Sequence, residues 1–245
     1  MSPTMAAANG VGPRRSETDA AVSPSAERAD RGPGAEATPQ TGLSLLRLYF
    51  IRHGETAWSL SGQHTGRTDI PLTTHGEDGA RALSPWLGAI HFARVLTSPL
   101  QRARRTCELA GLGSAAEIEP DLSEWDYGDY EGQRSVDIQK ARACWNLFRD
   151  GCPHGETPAQ ISDRADRLLA GLRTTQGNVA LFSHGQFGSA LAARWIELPV
   201  EDGQHLMLGP ASLSILAHNP HHTDVRVIEL LNVAVGSLRT GRLGG

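Results

Sequence analysis

LYFIRHG, residues 48–54, runs an apolar tetrad (Leu48, Tyr49, Phe50, Ile51) into an arginine, a histidine and a glycine. The tetrad reads as a buried strand, and Gly54 as the tight turn that ends it. A second stretch repeats the arrangement: VALFSHG, residues 179–185, ends an apolar run on His184 and Gly185. A third run, ARVLTSP at 93–99, stops at Ser98-Pro99, and the helix expected next carries Arg102 in its first turn.

Working outward, helical stretches are expected at 74–87, 100–111, 134–149, 157–173 and 187–198. The segment 116–122 reads as an edge strand, and 212–218 with 225–232 as a hairpin around 219–224. Strands alternating with helices predict a three-layer α/β/α sandwich with a mostly parallel central sheet. In such sheets ligands bind beyond the carboxyl ends of the strands. The ends carrying Arg52, His53, Arg102 and His184 therefore meet on one rim, as a compact cationic pocket suited to a phosphoryl group.

That pocket has a chemistry. Phosphoryl transfer needs positioning and neutralisation of the equatorial oxygens, with a nucleophile in line. A neutral imidazole can attack without a base to strip its proton. A general acid is still needed, because a sugar alkoxide leaves poorly without a proton. Glu124, Asp126, Asp129 and Glu131, in SEWDYGDYEG, are the candidates.

Composition narrows the classes. Residues 1–41 hold almost no large apolar side chains and read as a disordered tail, leaving 42–240 as the catalytic domain. Arg14-Arg15 lacks a following apolar region, and acidic residues through the tail argue against a mitochondrial transit peptide. No stretch reaches membrane-spanning length, so a cytoplasmic location is expected. Cys107, Cys144 and Cys152 show no metal or redox spacing and read as free thiols. A net charge of −4 gives no electrostatic support for a nucleic-acid partner. Lys140 is the sole lysine, so recognition leans on planar arginine contacts.

RHGET at 52–56, the late SHG and an ExxxGxxEG-like segment opening at Glu124 resemble the histidine phosphatase superfamily, which includes the phosphoglycerate mutases. The resemblance spans roughly residues 45–235, and it implies a phosphoglycerate mutase-like fold. It makes His53 the residue phosphorylated, and Arg52, Arg102 and His184 the holders of the phosphoryl oxygens, with Gly185 beside them. Glu124 becomes the general acid and base. Ser59 stands where many members carry Asn, at a phosphate-contacting position. Thr65 and Gly66 match a loop that touches substrate, and Tyr127 either faces substrate, the preferred reading, or packs under Gly128. Arg104 and Arg105 read as solvated helix charges.

The family's cofactor-dependent mutases keep the phosphohistidine dry with a long basic insertion after the acid motif. Here the segment between Glu124 and GCPHGET is short, with Lys140 its only lysine, so hydrolysis is expected to win. EWDYGDYEG and WNLFRDGCPHGET look most like the sedoheptulose-1,7-bisphosphatase-type group. The expectation is a metal-independent phosphomonoesterase without cofactor, acting on a small phosphorylated metabolite such as a sugar mono- or bisphosphate. Arg67, Arg134, Arg142, Arg149 and His154 are candidates for a second phosphate or for sugar hydroxyls. Mutase-type transfer and a non-catalytic phosphate-binding module are the alternatives, and a homodimer is left open.

Overall fold

The computed structural model describes residues 45–234. The expected tail at 1–41 lies outside the described residues, as does the end of the expected domain past 234. Six strands form one sheet in the order β3-β2-β4-β1-β5-β6. They are β1 (Arg47–Arg52), β2 (Phe92–Thr97), β3 (Ala116–Ile118), β4 (Asn178–Ser183), β5 (Ser212–His218) and β6 (Arg226–Ala234). The first four in spatial order are parallel, whereas β5 runs antiparallel to β1 and pairs with β6 as the expected hairpin.

The two faces of the sheet build two cores. Alternate side chains of β1 and β4 point opposite ways, as the strand pleat requires. Leu48, Phe50, Val179 and Leu181 pack with Ile161, Leu168, Ala190 and Leu191 on one face. Tyr49, Ile51, Ala180 and Phe182 pack with Leu83, Leu87, Cys107 and Ala110 on the other. The result is an α/β/α sandwich. Its helices are α1 (Ala57–Ser61), α2 (Thr74–Ala82), α3 (Ser84–Leu87), α4 (Gln101–Leu109), α5 (Ser135–Ala141), α6 (Leu147–Asp150), α7 (Pro158–Leu172) and α8 (Gly185–Trp195).

Two expected helices are each broken in two. The 74–87 stretch divides at Leu83 because Pro85 follows in the first turn of α3, where its ring and missing N–H prevent continuation. The 134–149 stretch divides between α5 and α6. Cys144 there takes a φ of 60°, and Asn146 caps α6 by accepting from the Phe148 and Arg149 N–H groups. By contrast α7 begins as its sequence suggests, with Thr157 and Gln160 in a reciprocal capping box and Pro158 in the first turn.

Register sets the rim. Ile51 lies opposite Phe182 and Arg52 opposite Ser183. The next residue, His53, donates its N–H to the Ser183 carbonyl at 2.9 Å. On the other side of β4, Ser98 donates its N–H to Phe182 at 2.9 Å. Three strands thus end at one level, beside the N-termini of α4 and α8.

Candidate active site

His53 leaves β1 at a point where the backbone has no room for a side chain. A Cβ on Gly54 would lie 2.3 Å from the Gly76 carbonyl oxygen at the start of α2. The Gly54 N–H is held by Thr106 Oγ1 of α4 at 3.0 Å. This turn fixes the imidazole as well. His53 Nδ1 lies 2.7 Å from the Gly54 carbonyl, so that nitrogen carries the proton and donates. The lone pair is left on Nε2. Burial, with the Arg52 and Arg102 cations adding to it, holds the imidazole well below its ordinary pKa. His53 is a neutral ring with a free lone pair.

His184 ends β4, and its ring centre is 5.1 Å from that of His53. Arg102 Nε donates to its Nδ1 at 3.2 Å, and its Nε2 lies 2.8 Å from Ser98 Oγ. The arginine must donate, so Nδ1 accepts and Nε2 carries the proton. Burial, reinforced by Arg102 and His53, holds His184 well below its ordinary pKa too. Arg102 is fully buried. Its other donors go to the carbonyls of Thr68 (3.0 Å), Thr65 (3.0 Å) and Gly66 (2.9 Å). Four of its five N–H groups are thereby used, and the 65–68 loop is tied to the strand end.

Arg52 lies flat over Gly185, where a Cβ would sit 3.1 Å from its Cζ. One of its terminal nitrogens donates to the Leu208 carbonyl. Its Nε is buried and has no hydrogen-bond partner among the described residues. An orphaned guanidinium N–H beside a neutral histidine suits an anionic oxygen.

Glu124, in the loop after β3, lines the same cleft as His53. Its Oε1 accepts from the Trp125 N–H at 2.9 Å and the Phe187 N–H at 2.8 Å, and its Oε2 from the Gln186 N–H at 3.2 Å. Two of those donors are in the first turn of α8, where N–H groups lack helical partners and favour an anion. The loop itself is clamped by Arg164. That side chain makes a two-pronged pair with Glu156, both contacts at 2.8 Å, and donates to the carbonyls of Asp121, Ser123 and Glu124.

Arg52, His53, Ser59, Thr65, Glu124, Tyr127 and Gly185 line one cleft of about 410 Å³. Arg102 and His184 stand behind it. Gly66 is not brought to this cleft. It lines a neighbouring one on the other side of Glu124, and its N–H is taken by the Glu131 carboxylate at 2.9 and 3.0 Å. Ser59 lines the cleft, but its hydroxyl is engaged in the α1 cap: it accepts from the Thr56 N–H at 2.9 Å and donates to the Thr56 carbonyl at 3.0 Å. Tyr127 is buried, and its ring stacks on His64 at 4.5 Å. Burial, with Glu124 adding to it, pushes its phenol well above the usual value. Of the remaining acid candidates, Asp126 pairs with Arg67 at 2.8 Å and faces the neighbouring cleft, while Asp129 pairs with His154 at 2.9 Å.

Sequence reasoning passed over Arg164, Glu156 and His64. Arg164 had a usable signal, being a cation between Ile161, Ala165 and Leu168, the buried positions of α7. His64 had none, since HTG gives no hint that its ring lies in the cleft.

Comparisons with known proteins bear on this arrangement. The profile of the histidine phosphatase superfamily (branch 1) matches residues 48–230. An acid phosphatase of Mycobacterium tuberculosis is 40% identical over 178 residues, covering 71% of this chain and 87% of that protein. The sedoheptulose 1,7-bisphosphatase of Saccharomyces cerevisiae is 34% identical over 187 residues, covering 63% and 69%. The solved structure of a functionally characterised open reading frame of M. tuberculosis superposes with a TM-score of 0.72 at 36% identity, covering 77% of this chain and 98% of that one. The chain belongs to the histidine phosphatase superfamily, branch 1, and is a phosphatase.

Proposed function

We propose that this phosphatase hydrolyses small phosphorylated sugars, without a metal ion, through a phosphohistidine on His53. The observation that carries it is the wiring of His53: Nδ1 is committed to the Gly54 carbonyl, so Nε2 presents its lone pair to the cleft next to the unpartnered Nε of Arg52.

In the first step Nε2 attacks phosphorus and the bond to the ester oxygen breaks. Glu124, in its acid form, gives its proton to the departing alkoxide. In the second step Glu124, now a carboxylate, takes a proton from water. The water oxygen attacks phosphorus and the N–P bond breaks, releasing inorganic phosphate and a neutral imidazole. Arg52 and the remaining N–H of Arg102 offset the charge on the phosphoryl oxygens, in a site whose donors are already in place. The sugar preference rests on the likeness of the acid segment to the sedoheptulose-1,7-bisphosphatase-type group, and on the named yeast relative.

The test is phosphate release from a panel of sugar phosphates with chelator present, alongside 3-phosphoglycerate with a bisphosphoglycerate primer. Release that persists in chelator and exceeds any mutase turnover supports the reading. Mutase turnover above the best phosphatase rate, or loss of release on chelation, defeats it.

A further inference from the structure

We propose that the half of the cleft beyond His53 is built for an uncharged, hydroxylated leaving group, with His64 as its recognition side chain, so that preferred esters carry one phosphate and no carboxylate. This deepens the phosphatase reading and rests on it.

Charge is the first observation. Among the described residues lining the cleft, Arg52 is the sole lysine or arginine, and it is folded over Gly185 at the phosphate end. None of the candidates for a second phosphate lines the cleft, and each has an acidic partner. Arg67 pairs with Asp126 at 2.8 Å, Arg134 with Asp137 at 2.6 Å and Arg149 with Asp150 at 2.8 Å. Arg142 lies 3.8 Å from Asp150, and His154 is 2.9 Å from Asp129. A second phosphate or a carboxylate in the cleft would find no counterion beyond Arg52, which the reacting phosphate takes, to offset its desolvation.

Hydrogen-bonding capacity is the second. His64 lines the cleft with its ring fixed by the Tyr127 stack and by Ser135 Oγ, 3.1 Å from Nε2. Burial lowers its pKa to about 4, so near neutrality it is an uncharged ring whose Nδ1 has no protein partner among the described residues. Gln204 accepts from Asn146 at 3.0 Å, which leaves its amide N–H₂ for the cleft. Gln186 lines it as well. Neutral donors and acceptors of this kind match hydroxyls, which also donate and accept.

Matched substrate pairs test this with the full-length chain. sn-Glycerol 3-phosphate and 3-phosphoglycerate differ by a hydroxymethyl group against a carboxylate. Fructose 6-phosphate and fructose 1,6-bisphosphate differ by one phosphate, and phenyl phosphate serves as a control without hydroxyls. We expect kcat/KM to favour the member of each pair that carries no second anionic group by about tenfold or more. His64→Leu should raise KM for those two esters about tenfold more than for phenyl phosphate, with kcat moving less, and His64→Gln should restore part of the loss. Equal or better turnover of the members with a second anionic group overturns the proposal, as does a His64→Leu loss of the same size on phenyl phosphate. If the leucine variant does not fold, the wild-type ratios decide alone. Failure to release phosphate from every ester, phenyl phosphate included, takes down the phosphatase reading and this proposal with it.

Discussion

The strand ends at His53-Gly54 and His184-Gly185 are near-copies in sequence and neighbours in space, with ring centres 5.1 Å apart. Both rings are buried and held neutral. They differ in what their nitrogens touch. His53 spends one nitrogen on the next residue's carbonyl and keeps the other. His184 spends both, on Arg102 and on Ser98, while the helix after it seats Glu124 on two of its N–H groups. In the proposed mechanism one end presents the nucleophile and the other builds the scaffold around it. A short motif names a location; the hydrogen bonds assign the role.

The harshest way to break the comparison is to remove each ring. His53→Ala should abolish turnover while leaving the fold intact, and brief labelling of the wild type with an alkaline quench should trap base-stable phosphate on His53. His184→Ala leaves Arg102 without the ring that accepts from its Nε and should lower turnover by about 10²-fold, the cost of misplacing the groups a side chain positions, yet still leave label on His53. Label on His184, or on a serine or aspartate, would reverse the assignment.

Glu124 probes what the His184 end supports. General acid assistance is worth about 10²–10⁴-fold, so Glu124→Gln should cost sugar phosphates roughly that factor. Nitrophenyl phosphate needs little proton help to lose its aryl oxide. With it, a burst of His53 phosphorylation should survive and dephosphorylation should become slow. Asp126→Asn should do far less, since its carboxylate faces Arg67 and the other cleft. Equal slowing of the burst step with both esters would mean that another group supplies the proton.

How much of this was legible in the sequence follows from the range of each interaction. Apolar runs and their periodicity report local burial, so the strands, the edge strand and the hairpin were readable, and with them the rim where His53, Arg102 and His184 meet. Local chemistry also explains the two broken helices, through Pro85 and the Cys144–Asn146 turn. What could not be read is long-range pairing between polar groups. Arg102 ties down the carbonyls of residues 65–68, Glu131 holds the Gly66 amide, and Arg164 clamps the loop that carries Glu124. No sequence spacing encodes those partners. Ser59 shows the reverse failure, since a residue placed by family position at the phosphate spends its hydroxyl on a helix cap.

The two ends should be alike in one respect, the protonation of their rings. In the unfolded chain each histidine titrates near about 6.5, whereas burial lowers His53, His184 and His64 in the fold, His64 to about 4. Below the unfolded value the unfolded chain binds protons that the fold refuses. The contribution to stability is therefore complete above about pH 6.5 and declines as pH falls toward the folded values. Proton uptake on unfolding near pH 5, measured by calorimetry in buffers of different ionisation heat, should drop by about one proton in His64→Gln. His53→Ala and His184→Ala should each lower the uptake as well, despite their unequal activities. An unchanged uptake in either would mean that its ring is charged in the fold.

The mildest change tests the scaffold end alone. Ser98 Oγ accepts the His184 Nε2–H at 2.8 Å and the Leu100 N–H at 3.3 Å. Ser98→Ala removes that oxygen without touching any group that lines the cleft. His184 cannot adapt by moving its proton, because Nδ1 must still accept from Arg102 Nε. A buried N–H is thus stranded, at a cost of about 1–3 kcal/mol, and the melting temperature should fall by roughly 2–4 °C for each of those. Because Arg102 still holds the ring, kcat/KM should fall by less than about tenfold, the cost of one neutral hydrogen bond. Ser98→Thr, which keeps the hydroxyl, should restore both. Loss of activity as deep as that of His53→Ala, with little change in melting temperature, would show that the Ser98–His184 pair moves a proton in the reaction, and the division between a nucleophilic end and a scaffold end would fall.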